Sequence, residues 1–274
     1  MSVSSFARAQ VLRLLPRTRI SRAVGKLCES KLSPPVAELV ARAYCRAYQV
    51  DMADALSDEL PYPSFDAFFT RKLRDGARAI SDDAVVSPAD GTLSATGRIG
   101  SRSALLVKDQ YYEVAELIDD DVEAKRYENG SFAVVYLAPC DYHRVHSPVD
   151  GAISQVRGIP GDYFPVNALG ERYVPRLFVR NNRASLAIET RDMGRVTVVF
   201  VGAYIVGRIT MNVIPEPAVP PGLRPISPPV EVRRGAEIGV FHLGSTLVLL
   251  FEPEISIGRS PGKVRYGESL LRPS

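Results

Sequence analysis

The run Val196-Thr197-Val198-Val199-Phe200-Val201-Gly202-Ala203-Tyr204-Ile205-Val206 decides the fold class of this 274-residue chain. β-Branched and aromatic side chains lose χ1 freedom in a helix and pack well on a pleated surface, so the run reads as a strand. Similar runs recur at 131–137, 184–190 and 247–251, with Gly, Pro and Asn turns between them. Several such strands from residue 83 onward predict an α+β protein that is mainly β, with antiparallel sheets rather than a doubly wound parallel sheet. Residues 213–232 hold seven prolines and are predicted to form an extended loop acting as a lid or binding segment.

Upstream the character changes. The first 50 residues carry nine Lys or Arg against two Glu, a local net charge of +7 in a chain whose total is +3. After Pro16, Ile20, Ala23, Val24 and Leu27 fall on one helical face and Arg19, Arg22 and Lys26 on another. A further helix is predicted from Ser33, with Pro34 first and apolar positions at Val36, Leu39, Val40, Ala43, Tyr44 and Ala47. A basic amphipathic layer of this kind suits an anionic membrane surface. A solvated basic face or an Arg-rich targeting peptide is the alternative. The apolar face of the second helix suits a protein neighbour as well as lipid.

At 46% hydrophobic the chain can bury one substantial core and a small accessory region. Cys28, Cys45 and Cys140 form no spaced framework, which argues against a disulfide scaffold or a zinc ribbon and fits a reducing compartment. No apolar run is long enough to span a bilayer, and the N-terminus lacks the apolar core of a secretory signal.

Three segments carry the residues suited to chemistry. Phe241-His242-Leu243-Gly244-Ser245-Thr246 leads into the apolar run Leu247-Val248-Leu249-Leu250-Phe251. A Gly-Ser step can be a plain turn before a strand. It can also be a self-cleavage site, because glycine leaves its carbonyl unshielded and tolerates strained backbone, and the serine hydroxyl supplies a nucleophile once a base is near. Attack of Ser245 on the Gly244 carbonyl would convert the amide to an ester. β-Elimination and hydrolysis would then leave a Gly244 carboxylate and a ketone, a pyruvoyl group, at residue 245. The chain has three histidines, and two of them lie in Ala138-Pro139-Cys140-Asp141-Tyr142-His143-Arg144-Val145-His146-Ser147-Pro148, read as a loop. His143 and His146 fit a surface turn, a metal pair or two proton-transfer groups, and their spacing does not choose. Ser87-Pro88-Ala89-Asp90-Gly91 is either an ordinary β-turn or the bearer of a carboxylate that orients a histidine.

These segments together resemble the bacterial phosphatidylserine decarboxylases. The resemblance also takes in Phe68-Phe69-Thr70-Arg71-Lys72-Leu73, Gly76-Ala77-Arg78, Pro160-Gly161-Asp162, Val166-Asn167, Asn181, Arg183 and Val201-Gly202-Ala203, in family order from about residue 63 to 251. Leu247 stands where a valine is common after the Thr, and Ala79 where a proline is common after the Arg. The resemblance implies a sandwich-like β domain over residues 63–274 behind an N-terminal layer of helices over 1–62. It implies autocatalytic serinolysis at Gly244-Ser245, giving a β chain of 1–244 and an α chain of 245–274 whose first residue becomes the covalent pyruvoyl cofactor. Asp90, His146 and Ser245 are implied as the cleavage triad, and His143 as the proton donor in decarboxylation, a role for which a pKa near the working pH is expected. The implied reaction takes phosphatidylserine to phosphatidylethanolamine and CO2. The ketone serves as the electron sink that pyridoxal phosphate supplies elsewhere. The implied setting is the cytoplasmic side of the cell membrane, held peripherally, with the paired chains forming a homodimer and with no metal and no nucleic acid.

Two other enzyme classes use similar residues. A zinc peptidase could take His143, His146 and Asp90 as ligands, but the helical His-Glu-x-x-His arrangement is missing. A serine hydrolase could use Asp90, His146 and Ser245 on external esters, but the Gly-x-Ser-x-Gly elbow is missing. A noncatalytic lipid-binding module would explain the basic N-terminus and leave the three polar segments without a task.

Overall fold

The computed structural model describes residues 17–107, 110–166, 174–203, 208–253 and 255–271. In chain order its helices are α1 (Arg17–Glu29), α2 (Pro34–Tyr48), α3 (Phe65–Phe69), α4 (Val114–Ile118), α5 (Asp121–Ala124) and α6 (Leu177–Arg180). The first strands are β1 (Gly91–Arg98), β2 (Ala104–Val107), β3 (Gln110–Glu113), β4 (Ser131–Leu137), β5 (Arg144–His146), β6 (Gly151–Ile159) and β7 (Arg183–Glu189). They are followed by β8 (Arg195–Gly202), β9 (Arg208–Met211), β10 (Gly222–Val232), β11 (Glu237–His242), β12 (Ser245–Phe251) and β13 (Gly262–Val264).

Eight of these strands form one antiparallel sheet in the order β10-β6-β7-β8-β12-β4-β1-β13. The mainly β, antiparallel reading therefore holds. Side chains alternate across a strand, and here both faces are covered. Val196, Val198 and Phe200 of β8, with Leu247, Leu249 and Phe251 of β12, enter one core. A second, three-stranded sheet, β5-β11-β9, closes that face with Val145, Ile209, Met211, Ile238 and Phe241. Val199, Val201, Val248 and Leu250 point the other way, against Leu105, Tyr112, Leu117 and Tyr127. Burial on both faces explains why these runs show little polar alternation. Each fully buried Leu, Val or Phe contributes about 1.5–3 kcal/mol, so the two cores hold β12 firmly at the centre.

The proline-rich segment departs from expectation. Its second half is strand β10, paired with β6 on one side only, with an irregularity between Pro225 and Val230. An edge strand can use prolines because the missing N–H groups face away from its single neighbour. The histidine segment is also more regular than a loop, since β5 pairs with β11 through Val145↔Gly239 and Arg144↔Val240.

The N-terminal helices form where the periodicity placed them, and residues 1–16 of the basic region lie outside the described residues. On α2, Ala37 is buried while Val36 and Leu39 stay exposed, as does Leu27 on α1. Tyr44 of α2 packs edge-on against Phe65, Phe68 and Phe69, and its hydroxyl donates to the Pro139 carbonyl at 3.2 Å. That contact ties the helical layer to the segment carrying His143. Among the described residues no helix is long and apolar enough to cross a membrane.

Candidate active site

Ser245 opens β12, in register with Leu137 of β4 and Gly202 of β8, and is fully buried. Among the described residues its Oγ has no hydrogen-bond partner, and neither does the Thr246 hydroxyl beside it. A buried hydroxyl without a partner costs about 1–3 kcal/mol, so this position is set up for something other than stability. Leu243, two residues earlier, is held at φ 87°, a region that non-glycine residues rarely occupy. The strained residue is thus the leucine before the Gly-Ser step. Gly244 itself has ordinary φ, and a Cβ placed on it would meet nothing within 4 Å. What holds Leu243 is packing: its side chain is part of the core that includes Val201 and Val248.

His143 immediately precedes β5, and its carbonyl accepts from the Phe241 N–H of β11 at 3.0 Å, which keeps it beside the strand leading to Ser245. The ring is fully buried, with its centroid 4.1 Å from that of Phe69. Nδ1 lies 2.9 Å from the Asp141 carbonyl. A carbonyl only accepts, so Nδ1 carries the proton and Nε2 presents a lone pair, and that Nε2 is buried without a partner among the described residues. Burial pushes the pKa of His143 down to about 3, with the Asp141 carbonyl opposing the shift and Arg71 adding to it. The expectation of a pKa near the working pH is therefore corrected: the buried imidazole is held neutral and resists protonation.

His146 shows the same tautomer. Its Nδ1–H donates to the Gly235 carbonyl at 2.8 Å, and its Nε2 accepts from the Tyr142 hydroxyl at 3.4 Å. The ring stacks on Tyr266 at 3.9 Å, nearly parallel, with Tyr142 also stacked 5.7 Å away. Burial lowers its pKa, opposed by the Gly235 carbonyl and by the charges of Glu237 and Asp90.

Asp90 is brought near His146 by the bond from the His146 N–H to the Pro88 carbonyl, 2.8 Å. Its carboxylate accepts from the Arg78 guanidinium, down to 2.6 Å, and from the Tyr266 N–H at 2.9 Å. The Asp90 charge opposes the fall in the His146 pKa through space, while its hydrogen bonds among the described residues go to Arg78 and to the backbone of Tyr266 and not to the imidazole. Gly91, read as half of a turn, is needed for closeness: a Cβ there would lie 2.4 Å from the Tyr136 carbonyl oxygen. Arg78 also holds Asp54 at 2.7 Å.

The third histidine, His242, donates from Nδ1 to Asp66 at 2.8 Å and reaches Thr210 Oγ1 at 3.2 Å. Two residues of the family-like motifs turn out to brace the site. Asn181 bonds both the N–H and the carbonyl of Phe164 and the carbonyl of Gly202, the cross-strand partner of Ser245. Arg183 is buried and donates to the carbonyls of Glu116, Leu117, Phe178, Val179 and Asn181. Of the two rings that enclose His146, Tyr142 belongs to the family-like segment that carries both histidines, whereas Tyr266 lies in the C-terminal tail, where the sequence offered no motif. No group of three His, Cys, Asp or Glu side chains suited to a metal comes together among the described residues.

The profile of the phosphatidylserine decarboxylase family matches residues 65–272. A protein of Anaeromyxobacter sp. (strain K), named phosphatidylserine decarboxylase proenzyme, is 39% identical over 94% of this chain and 95% of its own length. Proteins of the same name from Acinetobacter baumannii (strain AYE) and Bordetella avium (strain 197N) are 39% and 38% identical, over 91% and 95% of this chain and 88% and 92% of theirs.

Proposed function

Since this chain belongs to the phosphatidylserine decarboxylase family and is an enzyme of that class, we propose that it is a precursor that cuts itself between Gly244 and Ser245 and then converts phosphatidylserine to phosphatidylethanolamine and CO2. The observation that carries this reading is the buried, unpartnered Ser245 hydroxyl behind the strained Leu243.

In the cleavage step Ser245 Oγ attacks the Gly244 carbonyl while a neutral imidazole takes the hydroxyl proton. The amide becomes an ester as the Ser245 nitrogen leaves. Loss of the α proton then expels the ester oxygen with Gly244 as a carboxylate, and water replaces the residue 245 nitrogen as ammonia departs. His146 is the proposed base: its Nε2 lone pair is fixed by the Nδ1–H bond to Gly235, and Asp90 stabilises the imidazolium that forms. Gly235, rather than the carboxylate, sets the tautomer.

The pyruvoyl group left at residue 245 supplies a ketone that takes up the electrons released with CO2. Ser245 suits it, because the residue is buried away from water at the start of a central strand. His143 is proposed to serve turnover. Its Nε2, unpartnered among the described residues, is the proposed carrier of the proton that the substrate ammonium gives up and the carbon that loses CO2 receives, and the negative charge of the bound substrate has to offset the fall in basicity that burial causes. The exposed apolar residues and basic charge of the N-terminal helices support peripheral attachment to a membrane. A serine hydrolase acting on external esters fits less well, since Ser245 lies in Leu243-Gly244-Ser245-Thr246 and not in a Gly-x-Ser-x-Gly elbow.

Separate readouts for cutting and turnover test this reading. Ser245→Ala should remain one chain and release no CO2, and cleavage of that variant would overturn it. His146→Ala and Asp90→Asn should stall as precursor, Asp90→Asn less completely. His143→Ala should be cut and yet lose most CO2 release from labelled phosphatidylserine. The opposite pattern for the two histidines would exchange their roles.

A further inference from the structure

Arg71 is a buried cation whose surroundings leave a task open. It follows α3 and is only 4% exposed. Among the described residues its Nε is buried without a partner, and its Nη2 reaches the Cys140 carbonyl at 3.5 Å, the outer limit of a hydrogen bond. No carboxylate pairs with it among the described residues. A buried guanidinium without an anion is costly, and a structural arginine in the same chain, Arg183, instead spends its donors on five carbonyls.

The guanidinium lines a cavity of about 330 Å³ together with Asp90, Cys140, Asp141 and Tyr142. The other acids there are largely matched. Asp54 and Asp90 are held by Arg78, Asp141 lies 3.7 Å from Lys263, Glu268 is paired with Arg259, and Asp51 bonds the Ala53 N–H at the exposed rim. On its other side Arg71 lies over the Phe68 ring, 5.7 Å from its centroid, and Phe68 packs on Tyr62. Tyr62 lines an apolar groove with Pro35, Ala37, Ala41, Cys45 and Leu60. Arg78, Lys263 and Arg265 line the polar cavity as well, but only Arg71 stands between it and the apolar groove, so cavity, buried cation and groove follow one another in the order of headgroup, phosphodiester and acyl chain in a glycerophospholipid.

Resting on the decarboxylase reading, we propose that Arg71 binds the phosphodiester of the substrate. The substrate carboxylate is the poorer candidate. It loses its charge in the transition state, so a cation on it would stabilise the ground state and raise the barrier. A phosphodiester keeps its charge throughout, and a bidentate guanidinium suits it. Arg71 then contributes uniform binding, which appears in KM and not in kcat.

The test uses the self-processed enzyme, dihexanoyl phosphatidylserine as substrate and dihexanoyl phosphatidylmethanol as competitor, a phosphodiester with neither amine nor carboxylate. Arg71→Gln should be cut normally and raise KM about 10- to 100-fold, with kcat within about threefold of wild type. The competitor should inhibit wild type and weaken against Arg71→Gln by a similar factor, while Arg71→Lys recovers part of both. A raised KM with unchanged inhibition would put Arg71 on another group of the substrate. Failure of the competitor against wild type, or precursor accumulation in both variants, would also overturn the assignment. Absence of CO2 release by wild type would instead overturn the decarboxylase reading itself.

Discussion

His143 has its pKa pushed by burial from 6.5 to about 3. Between those values the unfolded chain binds a proton that the folded chain refuses, so stability falls as pH drops through the window, by up to about 1.4 kcal/mol per pH unit for this group. His143→Phe removes that liability. The stability difference between wild type and variant, measured by denaturant unfolding of uncleavable Ser245→Ala backgrounds, should shift in the variant's favour as pH falls from about 6.5 toward 4. Gly244 yields a second test at this scale. Its φ is ordinary and the space around its missing Cβ is open, so Gly244→Ala should fold with stability within about 1 kcal/mol of the original. Any slowing of cleavage in that variant, followed on gels, then reports on the approach to the carbonyl and not on folding.

Among the elements, α1, α2 and the turn between them combine exposed Leu27, Val36 and Leu39 with exposed Lys26, Lys31 and Arg46. Each basic residue near an anionic surface contributes about 1 kcal/mol, and residues 1–32 carry seven of them. Deleting 1–32 should lower affinity for phosphatidylserine-containing vesicles at least about tenfold in flotation assays, and raising salt should weaken the intact protein in the same direction. Cleavage should persist in the truncated chain, since the residues assigned to it lie beyond position 89.

For the molecule as a whole, the large sheet was legible because its strands are buried on two faces, and double burial concentrates Val, Leu and Phe into runs such as Val196–Val201. The edge strand β10 was not, because its three prolines, in a segment of seven, imitate a loop and only its position at the border of the sheet lets them stand in a strand. The candidate site divides in the same way. Short motifs marked Asp90, His143, His146 and Ser245. Their actual hydrogen-bond partners, the Gly235 and Asp141 carbonyls, Arg78 and the Tyr266 N–H, include backbone groups and a residue 176 positions away, which no local spacing encodes. Nor could spacing reveal that the strain sits on Leu243, which depends on a core assembled from distant strands.

β12 lies in the interior of the large sheet, hydrogen-bonded to β8 on one side and β4 on the other, and β13 continues the same C-terminal segment out to the far edge against β1. A cut before Ser245 therefore leaves two polypeptides interleaved within a single sheet, and neither owns a complete core. Their union is a folding partnership, not a docking event. Melting changes from a reaction of one molecule into the separation of two, so the midpoint of the cut protein rises with its concentration while that of the precursor does not. Refolding must then begin with an encounter between pieces whose shared strand order was laid down when they were still one chain.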